Sequence, residues 1–409
     1  MIRFGPAGIP LSCKGRTLKD GVEDVHSLSL TAMEVQMVRS EMMVEYPEEE
    51  EEGLTVKDLT KELLKELKKK NQQGSTKEEE FVVHMALGII KGGEELVVDP
   101  NEVIEEDDLL LKMVSGITDC FGELYSIGDM AKRMDVSLSL HTPYYEDLGS
   151  CVPNYEDLGL SLMYNDLPPT EKLTFSCIDN ILYSGVVANA LGANIVATNL
   201  GIYNPEMDEM EVEENIMTNL SMIRDWWQEK ELKPKIGIEI TGRNNVFGSL
   251  EQVLDICDEF KECCVPVINW PNYYSRLMPQ SPDTDNAPSW EVEDFQYAID
   301  QVSKYNNGQI YTQFSGIEYR NWSEYRFSPI KKGSLKFDTL AECLVNAKPD
   351  ITIISSSPLL EHDAMYMRTI HERALTKKVL KRIKQERKNE AEEKKAEAEA
   401  VAETEELSE

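Results

Sequence analysis

Seven short apolar runs in this chain end in polar side chains, and those side chains set the chemistry open to it. In chain order the ends carry Glu34 and Gln36, His141, Asn199, Glu239, Asn269, Gln313, and the trio Ser355, Ser356 and Ser357. The segments just beyond add Tyr144, Tyr145, Arg243, Asn272, Tyr274, Arg276, Arg320 and Arg326. Only Glu34, His141 and Glu239 in the first group are carboxylate or imidazole. An amide neither titrates nor competes with imidazole for zinc, and a catalytic zinc needs about three ligands drawn from His, Cys or carboxylate. The other histidines, His26, His84, His362 and His371, fall in helical or inserted stretches or near the tail, where none can complete a site. His141 and Glu239 together suit at most one residual zinc or manganese, with Glu34 as a third carboxylate, and the expectation is no cofactor. A buried carboxylate left unpaired is costly, so Arg243 is read as the cation that neutralises Glu239 in place of a metal. The amides and hydroxyls Asn199, Asn269, Gln313, Ser356 and Tyr144 are read, with Arg243, as a ligand-binding rim.

The elements that must position these groups alternate in type. Strands are predicted over 2–9, 32–38, 136–144, 194–201, 235–241, 265–270, 309–317 and 350–357. Amphipathic stretches lie between them, at 17–30, 118–134, 170–193, 249–260 and 289–305, with Ser249 and Ser289 as N-caps and Gly192 and Gly308 as stop signals. Eight strands, each followed by a helix, are the pattern of an α/β fold of the (β/α)8 TIM-barrel type, in which chemistry sits at the C-terminal ends of the strands. An open doubly wound sheet is the rival, but it usually carries a Gly-rich fingerprint after its first strand, to which GPAGIP is a weak match.

Two segments break the repeat. Residues 45–115 open on EEEEE, continue through a Lys-rich helical pattern at 55–70, and end in strand-like stretches at 80–90, 94–100 and 103–114. They read as a small inserted α+β subdomain after strand two, which leaves 1–44 and 116–373 to the barrel. Residues 374–409 read as a charged helix, basic from Lys377 to Lys388, with an acidic, alanine-rich and disordered end. YEDLG occurs twice, at 145–149 and 155–159, a duplication that lengthens one loop.

The chain has 409 residues, 41% of them apolar, and a net charge of −33, giving a pI near 4.6. A field of that sign repels nucleic acid and acidic lipid at long range. The eight cysteines include no C-x-x-C pair, as expected for a reducing cytoplasm. No signal-like or membrane-length apolar run is present. Protein partners are expected, through the insert or the tail.

IRFGPAGIPLSCKGRTLKDGV, LSLHTPYY, GIEITGRNNVFGSLEQVLDIC, QFSGIEY and IISSSPLLEHDAMYM together resemble the archaeal branch of the endonuclease IV family, within the xylose-isomerase-like TIM barrels. The resemblance spans nearly the whole barrel and excludes the insert and the tail. It implies a DNA-repair ancestry with cleavage at abasic sites by a trinuclear zinc cluster. Carried over by position, His141 stands at the first histidine ligand and Glu239 at the bridging glutamate. The rest depart. Asn199 and Gln313 stand where histidines are expected, Asn269 where an aspartate is, and Asn272 and Tyr274 where histidines follow. Phe327 takes the place of a loop histidine and Ser356 that of the last glutamate. The reading is therefore a pseudoenzyme, a catalytically degenerate barrel kept for binding or assembly. The alternatives are a metal-dependent enzyme of the same superfamily, sugar isomerase- or epimerase-like, or an abasic-site endonuclease with a reduced metal site.

Overall fold

The structure is a computed structural model. It describes residues 1–37, 41–59, 63, 85–114, 117–118, 120–143, 146–153, 160, 163, 167–278, 289–321 and 324–406. The first repeat is β1 (Ile2–Pro6) and α1 (Leu18–Ser27), and β2 (Ala32–Gln36) follows. A four-stranded antiparallel sheet comes next, made of β3 (Glu41–Glu45), β4 (Met85–Lys91), β5 (Glu95–Val97) and β6 (Leu109–Val114) in the order β3-β6-β4-β5. The barrel resumes with α2 (Phe121–Arg133), β7 (Ser137–His141), α3 (Pro169–Leu191), β8 (Ile195–Thr198) and α4 (Glu209–Glu229). It continues through β9 (Lys235–Glu239), α5 (Leu250–Glu259), β10 (Cys264–Asn269), α6 (Trp270–Arg276), α7 (Val292–Val302) and β11 (Gln309–Phe314). A hairpin, β12 (Gly316–Asn321) and β13 (Glu324–Ser328), precedes α8 (Phe337–Ala347), β14 (Asp350–Ser355) and α9 (Glu361–Glu406).

Eight parallel strands pair in the order β1-β14-β11-β10-β9-β8-β7-β2. The seam between β1 and β2 is closed by a parallel bridge from Ala7 to Glu34 and by Thr31 N donating to Phe4 O at 3.0 Å. This is a (β/α)8 barrel, with all eight predicted strands in place. Its interior follows the period of two in each strand. Ala32, Ile195, Ala197, Val265, Val267, Tyr311 and Ile354 fill the inside of the barrel as a small apolar cluster. Two residues further along the same faces come Glu34, Asn199, Asn269 and Gln313. The alternation that packs the barrel floor thus aims the polar residues into the mouth. Gly237 shares this inner face because a Cβ there would lie 2.7 Å from Ile195 and Val267.

Local signals explain most helix ends. Ser249 caps α5 through a reciprocal box with Gln252, and Gly192 ends α3 in the left-handed region at φ 63°. At α7 the cap is Glu291 rather than Ser289, its box closed by Asp294. That helix stops at Val302, and Gly308 serves the 3-10 turn leading into β11. The small sheet shares one apolar core with the barrel helices, so Met85, Ile89, Leu110 and Met113 are buried beside Phe121 and Leu124. Its strand β3 begins at Glu41, four residues before the boundary at 45 read from the sequence. Most of the Lys-rich stretch at 55–70 lies outside the described residues. In the tail the acidic end was expected to be disordered, but the backbone is helical to Glu406. Ala, Glu and Lys are strong helix formers, and Arg382–Glu386 and Lys388–Glu392 pair one turn apart.

Closure of the barrel depends on Gly5. A Cβ at that position would fall well inside contact distance of the Ala32 carbonyl oxygen on the neighbouring strand. Gly5→Ala is expected to force β1 away from β2 and cost about 3 kcal/mol. Gly8→Ala is the comparison, because a Cβ there meets only Gln36 at 3.7 Å and is opposed by its φ of 116° alone, a cost of about 1 kcal/mol. Chemical denaturation of both variants is the check; equal losses would dismiss the close approach at Gly5 as a constraint.

Candidate functional site

The C-terminal ends of the strands enclose a cavity of about 270 Å³, lined among others by Glu146, Asn199, Glu239, Asn269, Gln313 and Arg243. Beneath its floor lies His141, which is wholly buried. Its Nε2 stands 2.9 Å from Glu239 Oε2 and its Nδ1 2.8 Å from the Thr142 carbonyl oxygen. Both neighbours are acceptors, so both ring nitrogens carry hydrogen and the ring is an imidazolium. Burial alone would lower its pKa, but the bond to Glu239 and the nearby Glu34 carboxylate outweigh that and push it up to about 9.

Amides hold the rest of Glu239. Asn269 Nδ2 donates to its Oε1 at 2.8 Å and Asn272 Nδ2 at 3.1 Å. Asn269 Nδ2 is also 2.8 Å from Gln313 Oε1, while its Oδ1 caps α6 by accepting from Asn272 N. Gln313 Nε2 continues the chain to Glu34 Oε2 at 2.9 Å, where Tyr311 OH also donates at 2.7 Å. Gln36 Nε2 reaches the other Glu34 oxygen at 2.6 Å, and Ser139 Oγ meets Tyr311 OH at 2.5 Å. Burial drives the Glu34 carboxyl above its usual range, against the pull of His141 and these donors. One polar network therefore crosses the barrel from Glu239 to Ser139. Buried polar groups in a network like this are stable only when each finds a partner.

The expected Arg243–Glu239 pair does not form. Arg243 is exposed on the rim, and no ion pair joins it to Glu239. The physical reason is that His141 lies on the strand beyond the neighbouring one, already inside the barrel, whereas Arg243 sits on a loop leaving β9. That loop is held by Arg276, whose guanidinium donates to the Arg243 and Val246 carbonyl oxygens at 2.8 and 3.1 Å. Ser356 is half-buried and does not line the cavity, and its hydroxyl has no partner among the described residues. Tyr274 is buried beside Trp290, away from the mouth. Tyr144 and Tyr145 lie outside the described residues.

A trinuclear zinc site does not fit these residues. Among the described residues no three His, Cys, Asp or Glu side chains converge, and both Glu239 oxygens are already engaged. Asn199, Asn269 and Gln313 put amides where the resemblance expects ligands.

The residue that sequence reasoning passed over is Glu146, in the first copy of the duplicated YEDLG. It is buried at the cavity wall, with Asn180 Nδ2 3.3 Å from its Oε2 and, among the described residues, no partner for its Oε1. Burial pushes its carboxyl up to about 7. The neighbouring Asp147 fixes the loop by accepting from Gly149 N and Ser150 Oγ, which is how a loop carboxylate becomes buried. The second copy lies outside the described residues. A loop tied back in this way was the only signal available, and a duplication by itself does not show which copy is anchored. Tyr325 and Phe327, stacked with centroids 6.5 Å apart, complete the wall.

No family model matches the chain. An uncharacterized protein of Methanocaldococcus jannaschii is 25% identical over 249 residues, 60% of this chain and 82% of its own length. Among solved structures the chain is similar to endonuclease IV from Thermus thermophilus, at 11% identity, 92% and 99% coverage of the two chains and a TM-score of 0.48. It is similar also to an L-ribulose 3-epimerase, at 10% identity, 93% and 97% coverage and a TM-score of 0.49. A xylose isomerase domain protein from Planctomyces limnophilus gives 8% identity, 91% and 96% coverage and a TM-score of 0.45. At these identities no chemistry transfers between chains. No helix among the described residues is long and apolar enough to cross a membrane.

The buried charges make two outcomes testable. Glu239→Gln leaves the His141 imidazolium buried without its counter-ion and is expected to cost about 3–5 kcal/mol. Arg243→Met should stay within about 0.5 kcal/mol of the parent. Urea unfolding of both variants tests this, and a matching loss at Arg243 would restore the discarded pairing.

The second outcome concerns pH. The folded Glu146 holds its proton to about 7 against an ordinary 4.5, and folded His141 to about 9 against 6.5. In each case the folded state binds more protons across that window, so stability is full at the lower end and falls as pH rises through the folded value. Melting temperature should therefore decline from pH 5 to pH 9. Glu146→Gln should remove the lower part of the decline, gaining about 3 kcal/mol at pH 8 and almost nothing at pH 4. An unchanged pH profile in Glu146→Gln would show that Glu146 is not held in its protonated form.

Proposed function

We propose that this chain is a catalytically degenerate, endonuclease IV-like barrel whose mouth has given up metal chemistry and binds a small neutral, hydroxyl-rich ligand. The observation that carries the reading is the saturation of Glu239. One oxygen faces the His141 imidazolium and the other accepts from two amides, so the one carboxylate at a metal-ligand position is already neutralised. Exchanging ligands for amides keeps the hydrogen bonding and removes charge that would be stranded without metal. The motifs around His141 and Glu239 support the ancestry, and the replaced ligands support the loss.

The cavity has the properties of a small-molecule site at the low end of the usual size range. Its wall mixes amides, the Thr241 and Tyr325 hydroxyls and the aromatic face of Phe327. Asn199 Oδ1 and Glu146 Oε1 are buried acceptors with no partner among the described residues. A ligand hydroxyl would satisfy each of them. A polyanion such as DNA would meet a net charge of −33 on approach. The insert remains a candidate surface for a protein partner.

Metal content of the untagged protein by elemental mass spectrometry should fall below about 0.1 per chain, against the three or more ligands a catalytic zinc needs. Abasic-site DNA should remain uncut with zinc or manganese supplied. Neutral monosaccharides and polyols, screened by thermal shift, should include at least one that stabilises the protein but not Asn199→Ala. A tightly held zinc or manganese, lost in both His141→Ala and Glu239→Ala, would overturn the reading in favour of a metal enzyme.

A further inference from the structure

Beyond residue 373 the last helix has a feature that the barrel does not use. Up to Lys378 the helix α9 is fastened to the body. Phe4 packs on His371 with ring centroids 5.9 Å apart, and Lys378 Nζ donates to the Val345 carbonyl oxygen and to Asn346 Oδ1 at 3.0 and 2.9 Å. From there the helix runs on to Glu406. The stretch 374–406 is 33 residues, about 50 Å at the rise of an α-helix. Its charge is divided along its length. Residues 374–389 hold seven Lys or Arg and one Glu, a net of +6, and residues 390–406 hold eight Glu and two Lys, a net of −6. The sign changes between Asn389 and Glu390, at the midpoint of the stretch.

The basic half also has an apolar stripe facing water. Leu375, Val379, Leu380 and Ile383 are 43%, 47%, 61% and 39% exposed, and at 100° per residue they share one face of the helix. Four large apolar side chains on one face of a solvated helix are the mark of an unmet partner. A stretch that is +6 in one half and −6 in the other complements a copy of itself only when the copy runs the opposite way.

We propose that a second copy of this chain covers the stripe, and that the two α9 helices pair antiparallel about a two-fold axis near residue 390. In that register the positions of Val379 and Leu380 fall opposite Val401 and Ala400, and those of Leu375 and Ile383 opposite Glu405 and Glu397, so the basic half of one copy lies along the acidic half of the other. The interface is isologous, as two-fold pairing requires. The field of the rest of the chain favours the same orientation. Because residues 374–406 sum to zero, essentially all of the −33 lies elsewhere in the chain. A parallel pair would set two strongly acidic barrels side by side. The antiparallel pair holds them roughly 50 Å apart, several times the Debye length of about 8 Å at physiological salt. The inference is independent of what the barrel mouth binds.

Sedimentation velocity of the full chain at micromolar concentration should show a dimer whose dissociation constant rises at least about tenfold between 50 mM and 500 mM salt. Leu380→Asp in the full chain should give a monomer with an unchanged melting temperature, since the side chain is 61% exposed. Orientation is read by cysteine pairs. Val379→Cys mixed with Val401→Cys should form the mixed disulfide, while Val379→Cys alone should not link to itself. A full-length monomer at low salt would overturn the pairing. A self-linked Val379→Cys would overturn its direction. A dimer that survives in Leu380→Asp would place the interface elsewhere.

Discussion

A buried ion pair between His141 and Glu239 organises the mouth of this barrel. Two charges removed from water are tolerated only when the geometry is close and the remaining valences are met. Here the imidazolium gives one hydrogen to Glu239 and the other to the Thr142 carbonyl, and the second Glu239 oxygen takes two amide donors. Those demands fix the orientation of Asn269, which fixes Gln313, which in turn gives its amide hydrogens to Glu34. The polar interior therefore has one self-consistent arrangement rather than several. Removing a proton or a carboxylate anywhere along it propagates to the next residue.

The same network bears on what the site can do. A metal cluster needs lone pairs pointing at a common centre, whereas this mouth points amide hydrogens at a carboxylate. The free hydrogen-bonding capacity lies off the network, on Glu146 and Asn199, against a wall that carries Tyr325 and Phe327. Amides and hydroxyls recognise hydroxyls, and a carboxyl whose pKa is lifted to about 7 adds a group that either donates or accepts near neutrality. The strongly acidic surface and the segregated charge of the last helix act on a longer scale, where partner choice is set by fields rather than by contacts.

The barrel was legible because each of its eight strands, and several of the helices between them, announces itself locally. Apolar runs of strand length, a capping Ser249 and a terminating Gly192 act over a few residues, and the eightfold alternation then leaves few topologies. The candidate residues were legible for a related reason. On a strand the inner face recurs every second residue, so a run such as IVATN or KIGIE shows which polar residue follows the packed ones. Legibility ended where contacts come from distant parts of the chain. Arg243 looked like the counter-ion of Glu239 because it is four residues away, yet the pair is made by His141, 98 residues distant. Glu146 looked like part of an idle duplication until the anchoring of its loop buried it.

Sequence by itself determined the eight barrel strands, their order, the charge pattern of the last helix and the chemical types at the strand ends, all of which depend on residue identity and short-range periodicity. Tertiary structure alone decided which polar groups meet, that the histidine is charged, and that Glu146 lines the cavity. The reason is that a charge state or a hydrogen-bond partner depends on local dielectric and on distances of about 3 Å. Those quantities come into being only when strands far apart in the chain close around a common interior.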